Sequence, residues 1–137
     1  MPAQRHIIVD DSPAVRRSLS WYIAQNRTWE VCGEAENGQS AVETVDQLHP
    51  DLVIFDLSMP VMNGLDAATI LRKKLPDTPI ILYTMYAEAS VQRLATAAGV
   101  TAVVSKSDPV GELLRKAHSL VAAVSTISFD GHDGPVV

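Results

Sequence analysis

The chain has a single cysteine and no long apolar run, and each shortage excludes a class of protein. Cys32 is the only cysteine in 137 residues, which excludes an internal disulfide and favours a reducing compartment. No apolar stretch is long enough to span a bilayer, and the first residues lack the apolar segment of a secretory signal. These absences predict a cytoplasmic protein with no membrane association.

Positive charge is also scarce. The sequence has 11 Lys and Arg against 16 Asp and Glu, a net charge of −5, and no basic run. Direct nucleic-acid binding is therefore not expected, because it depends on clustered positive charge. The histidines lack the spacing of a metal site, and we assign them no catalytic role. They are His6, His49, His118 and His132.

Short apolar runs alternate with helical patterns along the whole chain, whose length and 47% hydrophobic content suit one domain with a real core. The helical patterns include an apolar face formed by Val91, Leu94, Ala95 and Ala98. Five strands alternating with five helices predict an α/β fold, a parallel sheet covered by helices on both faces. The predicted strands are residues 7–9, 29–36, 52–55, 80–83 and 102–104.

Polar residues follow four of these strands directly: Asp10 and Asp11, Asp56, Thr84 and Lys106. The carboxyl ends of parallel strands meet at one edge, so we expect these side chains to lie together. Three neighbouring carboxylates repel one another unless a cation lies among them, and Mg²⁺ prefers such oxygen ligands. A carboxylate can also accept a phosphoryl group, with a hydroxyl and an ammonium contacting its oxygens. Each residue alone is more simply a surface group, but the set predicts a cation and phosphoryl site with Asp56 as nucleophile.

At these positions the sequence resembles the receiver domain of bacterial two-component response regulators, over roughly residues 5–124. The segment "SKSDP" after the fifth strand makes it most similar to the NarL/FixJ type. The resemblance implies a doubly wound, flavodoxin-like sheet with strand order 2-1-3-4-5, a receiver domain over residues 1–124 and a tail or linker over 125–137. The matching residues are Asp10, Asp11, Asp56, Met59, Pro60, Gly64, Thr84 and Lys106.

The resemblance also implies roles for individual residues. Mg²⁺ would be held by Asp11, Asp56 and the main-chain carbonyl of Ser58, with Asp10 behind them. A histidine kinase or phosphotransfer protein would phosphorylate Asp56, and the Thr84 hydroxyl and Lys106 would hold the phosphoryl group. The protein would then change conformation to control a partner or output domain, and would catalyse only its own phosphorylation and dephosphorylation.

Three positions depart from the family pattern. Met85 replaces a small residue after the switch threonine, Val103 replaces an aromatic residue, and Ser107 replaces the usual proline. The expected switch residues are Thr84, Tyr86 and Val103. Because position 103 has no aromatic ring to rotate when the protein switches, we expect either a backbone movement of the fifth strand or Tyr86 to transmit the change. The fifth strand and last helix could also support a homodimer.

Two other functions stay open. A pseudo-receiver would act only as an interaction module, although the acidic and switch residues are all present. A phosphatase with an aspartyl-phosphate intermediate needs a second aspartate two residues after the nucleophile, where this chain has Ser58. Flavin binding is not expected, because no phosphate-binding loop rich in Ser, Thr and Gly follows the first strand.

Overall fold

The computed structural model describes residues 3–57 and 62–133, with side chains described up to residue 123. Within these residues five strands alternate with five helices, as predicted. The strands are β1 Gln4–Val9, β2 Trp29–Ala35, β3 Leu52–Phe55, β4 Ile80–Thr84 and β5 Ala102–Ser105. The helices are α1 Pro13–Ala24, α2 Gly38–Leu48, α3 Gly64–Lys74, α4 Ala89–Ala97 and α5 Val110–Asp133.

The strands form one parallel sheet in the order β2-β1-β3-β4-β5, which confirms the predicted order. In the register, Val9 lies opposite Phe55 and Phe55 opposite Leu82, so these neighbouring strands end at nearly the same level. The residues that follow β1, β3, β4 and β5 are thereby brought to a single edge of the sheet.

The core has two apolar layers, one on each face of the sheet, because successive strand side chains point to opposite faces. On β1, Ile7 and Val9 pack in the layer under α2, α3 and α4, whereas Ile8 packs in the layer under α1 and α5. Full burial of an aliphatic side chain stabilises a fold by about 1.5–3 kcal/mol, so both layers make a large contribution. This rigid support fixes the strand ends that carry the polar residues.

Local signals set the positions of the helices that follow the functional strands. Ser12 caps α1 by accepting a hydrogen bond from the Val15 N–H (3.2 Å), and Pro13 begins the helix. Gly64 begins α3 at a close approach between backbones, because a Cβ there would collide with the Asp56 carbonyl oxygen and lie 2.8 Å from the Cα of Leu57. Glycine is required at this position for a steric reason.

Two features differ from the sequence expectation or extend beyond it. The predicted apolar face of α4 is wrong at Leu94, a residue that is 57% exposed, because α4 turns only Ala95 fully into the core. Helix α5 runs on to Asp133, past the expected domain boundary at residue 124, and that boundary stays a prediction. Among the described residues, no helix has the length and apolar character needed to cross a membrane.

A buried histidine lies at the opposite end of β1 from the acidic residues. His6 is fully buried, and its ring centroid is 4.9 Å from that of Trp29. Its Nδ1 lies 3.0 Å from the carbonyl oxygen of Gln4, which suits a neutral ring that donates from Nδ1, while Nε2 has no hydrogen-bond partner among the described residues. Burial lowers the pKa of His6, although the Gln4 carbonyl opposes this effect.

We predict that His6 makes the fold sensitive to acid. Because its pKa is lowered on folding, the unfolded chain binds a proton more readily, and stability falls as the pH drops below about 6.5, the ordinary histidine value. Thermal melting at pH 7.5 and pH 5.5 should show a smaller loss for His6→Phe than for the wild type. His118→Gln, at an exposed histidine whose ring centroid is 6.1 Å from that of Trp29, is the matched control and should keep the wild-type loss. An equal loss in His6→Phe would contradict the prediction.

Candidate acidic site at the carboxyl edge of the sheet

Three carboxylates converge at the carboxyl edge of the sheet, as the sequence predicted. Each of Asp10, Asp11 and Asp56 offers an oxygen, and these oxygens all lie within 4.8 Å of one another. Asp10 and Asp56 are buried at the ends of β1 and β3, whereas Asp11 is exposed at the entrance to α1. One hard cation could therefore contact oxygens from all three residues.

Lys106 is the positive partner of this cluster. Its Nζ lies 2.8 Å from Oδ2 of Asp10 and 3.3 Å from Oδ2 of Asp56. The Lys106 backbone N–H donates to the Thr84 carbonyl oxygen (2.8 Å), which places the residue just beyond the pairing of β4 with β5. The lysine thus bridges two buried aspartates from different strands, and its side chain is itself only 15% exposed.

Burial and charge act in opposite directions on this group of residues. Burial raises the pKa of Asp56, the Lys106 ammonium opposes that rise, and the Asp10 carboxylate adds to it. Burial also disfavours the charged form of Lys106, but the hydrogen bond from its ammonium to Asp10 and the attraction of both aspartates outweigh this and raise its pKa. Lys106 is therefore a persistent cation, and Asp56 is a carboxylate whose negative charge is costly in the folded protein.

The expected switch residues lie on β4, on the loop that follows it and on β5, and they differ in exposure. Thr84 is fully buried at the end of β4, and its Oγ1 accepts a hydrogen bond from the Tyr86 N–H (3.2 Å). The side chains of Met85 and Tyr86 are 60% and 53% exposed, and Val103 on β5 is half-buried. Tyr86 therefore presents its ring to solvent from the loop after β4.

The donor set suits Mg²⁺. The residues that converge here offer carboxylate oxygens, with no thiol or imidazole among the cluster, and hard divalent cations select such oxygen ligands. Asp56 also accepts a hydrogen bond at Oδ1 from the Leu57 N–H (2.7 Å). The expected ligand Ser58, and the matching residues Met59 and Pro60, lie outside the described residues.

The profile of the response regulator receiver domain matches residues 7–118. The chain belongs to this family. The match covers the second half of β1, the four other strands and the residues of the acidic cluster, so the resemblance to the receiver domain is confirmed. Phosphoryl transfer is the general function of this family.

Relatives share the receiver region but are longer proteins. The chain is 46% identical over 82 residues to the transcriptional regulatory protein YdfI of Bacillus subtilis, covering 60% of this chain and 38% of that protein. It is 42% identical over 94 residues to a protein-glutamate methylesterase/protein-glutamine glutaminase of Pyrococcus abyssi, covering 66% of this chain and 25% of that protein. The chain thus spans well under half the length of these relatives.

A solved structure supports the expected subtype. The chain superposes on a LuxR-family two-component response regulator from Aurantimonas with a TM-score of 0.84 and 27% identity, over 88% of this chain and 86% of that one. The sequence indicated the NarL/FixJ type, and response regulators of the NarL/LuxR type are among the structural neighbours.

Sequence reasoning missed two side chains of the site. Arg16 on α1 donates to the Asp10 carbonyl oxygen (2.5 Å) and forms an ion pair with Glu34 on β2 (3.2 Å). The ring centroid of Tyr83 lies 5.9 Å from Nζ of Lys106. The contacts of Arg16 with Glu34 and of Tyr83 with Lys106 join residues distant in sequence, and no local pattern marked Arg16 or Tyr83.

We predict that Asp56→Asn folds at least as stably as the wild type in EDTA. Since the pKa of Asp56 is raised, its ionisation costs folding free energy at any pH above the folded pKa, and the amide removes that cost. The advantage should shrink as the pH falls toward 3.8, the ordinary aspartate value. Thermal melting at pH 7.5 and pH 4.5 measures both effects, with the exposed Asp77→Asn as control. A lower melting temperature for Asp56→Asn at pH 7.5 would contradict the prediction.

Proposed function

We propose that this chain accepts a phosphoryl group on Asp56 in a Mg²⁺-dependent reaction and so acts as the phosphorylated switch of a two-component system. The observation that carries the proposal is the meeting of the buried Asp56 carboxylate with Asp10, Asp11 and the Lys106 ammonium at one edge. The carboxylates would hold a divalent cation beside Asp56, and that cation together with the Lys106 ammonium would offset the negative charge on the oxygens of an incoming phosphoryl group, which is the main requirement of phosphoryl transfer.

In the proposed reaction an oxygen of Asp56 attacks the phosphorus of a phosphohistidine. The phosphorus–oxygen bond forms, the phosphorus–nitrogen bond breaks, and the imidazole nitrogen leaves with its electron pair to take up a proton. The product is an acyl phosphate on Asp56. Lys106, already next to Asp56, would turn its ammonium toward a phosphoryl oxygen, and the Thr84 hydroxyl, whose oxygen accepts from the Tyr86 N–H, would donate its own proton to another such oxygen.

Asp11, Asp56 and the Ser58 carbonyl are the residues proposed to hold Mg²⁺, with Asp10 as their neighbour. When bound, Mg²⁺ would supply positive charge that offsets the repulsion among the carboxylates and the charge on the transferring oxygens. Asp10 has a separate part in this scheme, because its Oδ2 already binds Lys106 at 2.8 Å and keeps the ammonium at the site.

The proposed partner is a sensor histidine kinase or a phosphotransfer protein, in the cytoplasm. A homodimer through β5 and α5 is a further part of the proposal. Relatives with the same receiver region include a transcriptional regulator and a methylesterase, so the output of this protein is a separate question from its phosphorylation. A pseudo-receiver is the alternative that experiment must exclude.

Phosphorylation is tested by incubating the protein with acetyl phosphate and Mg²⁺ and measuring its intact mass. We expect the wild type to gain one phosphoryl group, about 80 Da, since a carboxylate nucleophile forms one acyl phosphate. Asp56→Asn should show no gain, and the exposed control Asp77→Asn should behave as the wild type. A wild type that gains nothing would favour the pseudo-receiver, and an Asp56→Asn variant that still gains a phosphoryl group would refute the nucleophile.

We further predict that Asp11→Ala weakens Mg²⁺ binding far more than Asp10→Ala. Asp11 is exposed and its carboxylate is available to a cation, whereas Oδ2 of Asp10 is already engaged by Lys106. Loss of a direct carboxylate ligand should raise the Kd at least about tenfold, the scale reported even for indirect supports of a metal site. Isothermal titration with Mg²⁺ measures the Kd of each variant. Equal losses in the two variants would reject this ranking.

A further inference from the structure

We propose that Arg16 is a positioning residue, which fixes the peptide between Asp10 and Asp11 and thereby sets the Asp11 carboxylate for a divalent cation. The inference rests on the proposed function, because it concerns the same Mg²⁺ site. In this proposal α1 and the edge strand β2 help to orient a ligand of the Mg²⁺ site, although neither element contains one of the three clustered carboxylates.

The first support is that every polar atom of Asp10 has a hydrogen-bond partner. Its N–H donates to the Ala35 carbonyl oxygen (3.0 Å), and its Oδ1 and Oδ2 accept from the Ser12 N–H (2.9 Å) and the Lys106 ammonium (2.8 Å). Its carbonyl oxygen, the remaining polar atom, accepts from Nη1 of Arg16 (2.5 Å). Arg16 therefore makes the contact that sets the direction of the peptide leading to Asp11.

The second support is the contrast with Asp11. The Asp11 side chain is exposed and accepts no hydrogen bond from the residues that the structure describes. The direction of this side chain therefore depends on the Asp11 backbone. The planar peptide that precedes Asp11 contains the Asp10 carbonyl, whose oxygen accepts the hydrogen bond from Arg16. Release of this carbonyl would let the carboxylate sample more directions, and ordering it again would weaken cation binding.

The third support is that Arg16 is itself held in place. Its Nε donates to Oε1 of Glu34 (3.2 Å), and the Ser20 hydroxyl donates to Oε2 of the same glutamate (3.5 Å). The Arg16 side chain is 17% exposed, so it is largely shielded from water. A planar guanidinium can bind a carbonyl and a carboxylate at once in fixed directions, which a lysine ammonium does less well. Glu34 thus orients Arg16, and Arg16 orients the loop.

The loss of the Arg16 charge and the loss of its positioning contacts should change Mg²⁺ affinity in opposite directions, which allows the two effects to be distinguished. Removal of a positive charge near three carboxylates should by itself tighten Mg²⁺ binding, because the cluster becomes more negative. If Arg16 acts by position, Arg16→Ala should instead weaken binding. The matched control is Arg17→Ala, which removes the same charge from the neighbouring, exposed position of α1.

Isothermal titration with MgCl₂ on the full chain measures the effect. We expect Arg16→Ala to raise the Kd by about tenfold, the scale for loss of a group that supports metal ligands. Arg16→Lys should recover part of the affinity, and Arg17→Ala should bind as the wild type or slightly more tightly. Glu34→Gln should give a smaller rise, and the Arg16→Ala/Glu34→Gln double variant should bind no more weakly than Arg16→Ala, since the two residues act in series.

An Arg16→Ala variant with unchanged or tighter Mg²⁺ binding would overturn the proposal. If that variant does not fold, Arg16→Lys decides, because a Kd equal to that of the wild type would also overturn it.

Hydrogen exchange in EDTA separates this inference from the proposed function. The Ser12 amide should exchange faster in Arg16→Ala than in the wild type and Arg17→Ala, and equal exchange would overturn the fixing of the loop. Absence of Mg²⁺ binding by the wild type would instead refute the proposed function.

Discussion

The ion pairs of Lys106 with Asp10 and Asp56 are the interaction on which the site depends. Two aspartates buried side by side would repel each other, and burial alone already disfavours the charge of Asp56. The ammonium, 2.8 and 3.3 Å from their oxygens, allows both residues to be close in the folded protein. In the proposed reaction, the residue that holds the cluster together would also contact the incoming phosphoryl group.

The sheet makes this arrangement possible because it brings residues distant in sequence to one level. Asp10 and Lys106 are separated by most of the chain, yet β1 and β5 end at the same edge of one parallel sheet. The two apolar layers hold the strands rigidly, and the close backbone approach at Gly64 places α3 directly beyond Asp56. Rigid support of this kind holds the charged side chains in fixed positions close to one another.

The fold and the convergence of the site could be predicted from the sequence, because both follow from local patterns. Apolar runs predicted the strands, and a polar residue after each of four strands predicted the edge at which Asp10, Asp56 and Lys106 meet. The ion pairs of Lys106 with the aspartates and the contacts of Arg16 could not be predicted, since they depend on the directions that individual side chains take in the folded protein. Leu94 was misassigned for a related reason, because periodicity does not show how deeply a helix packs.

The most direct test of the account is a crystal structure of the protein with Mg²⁺ and beryllofluoride, a mimic of the phosphoryl group. The account predicts the beryllium group on a carboxylate oxygen of Asp56, with Nζ of Lys106 moved to within hydrogen-bond distance of a fluorine. A structure in which beryllofluoride binds another residue, or in which Asp56 is modified while Lys106 contacts only the carboxylates of Asp10 and Asp56, would contradict it.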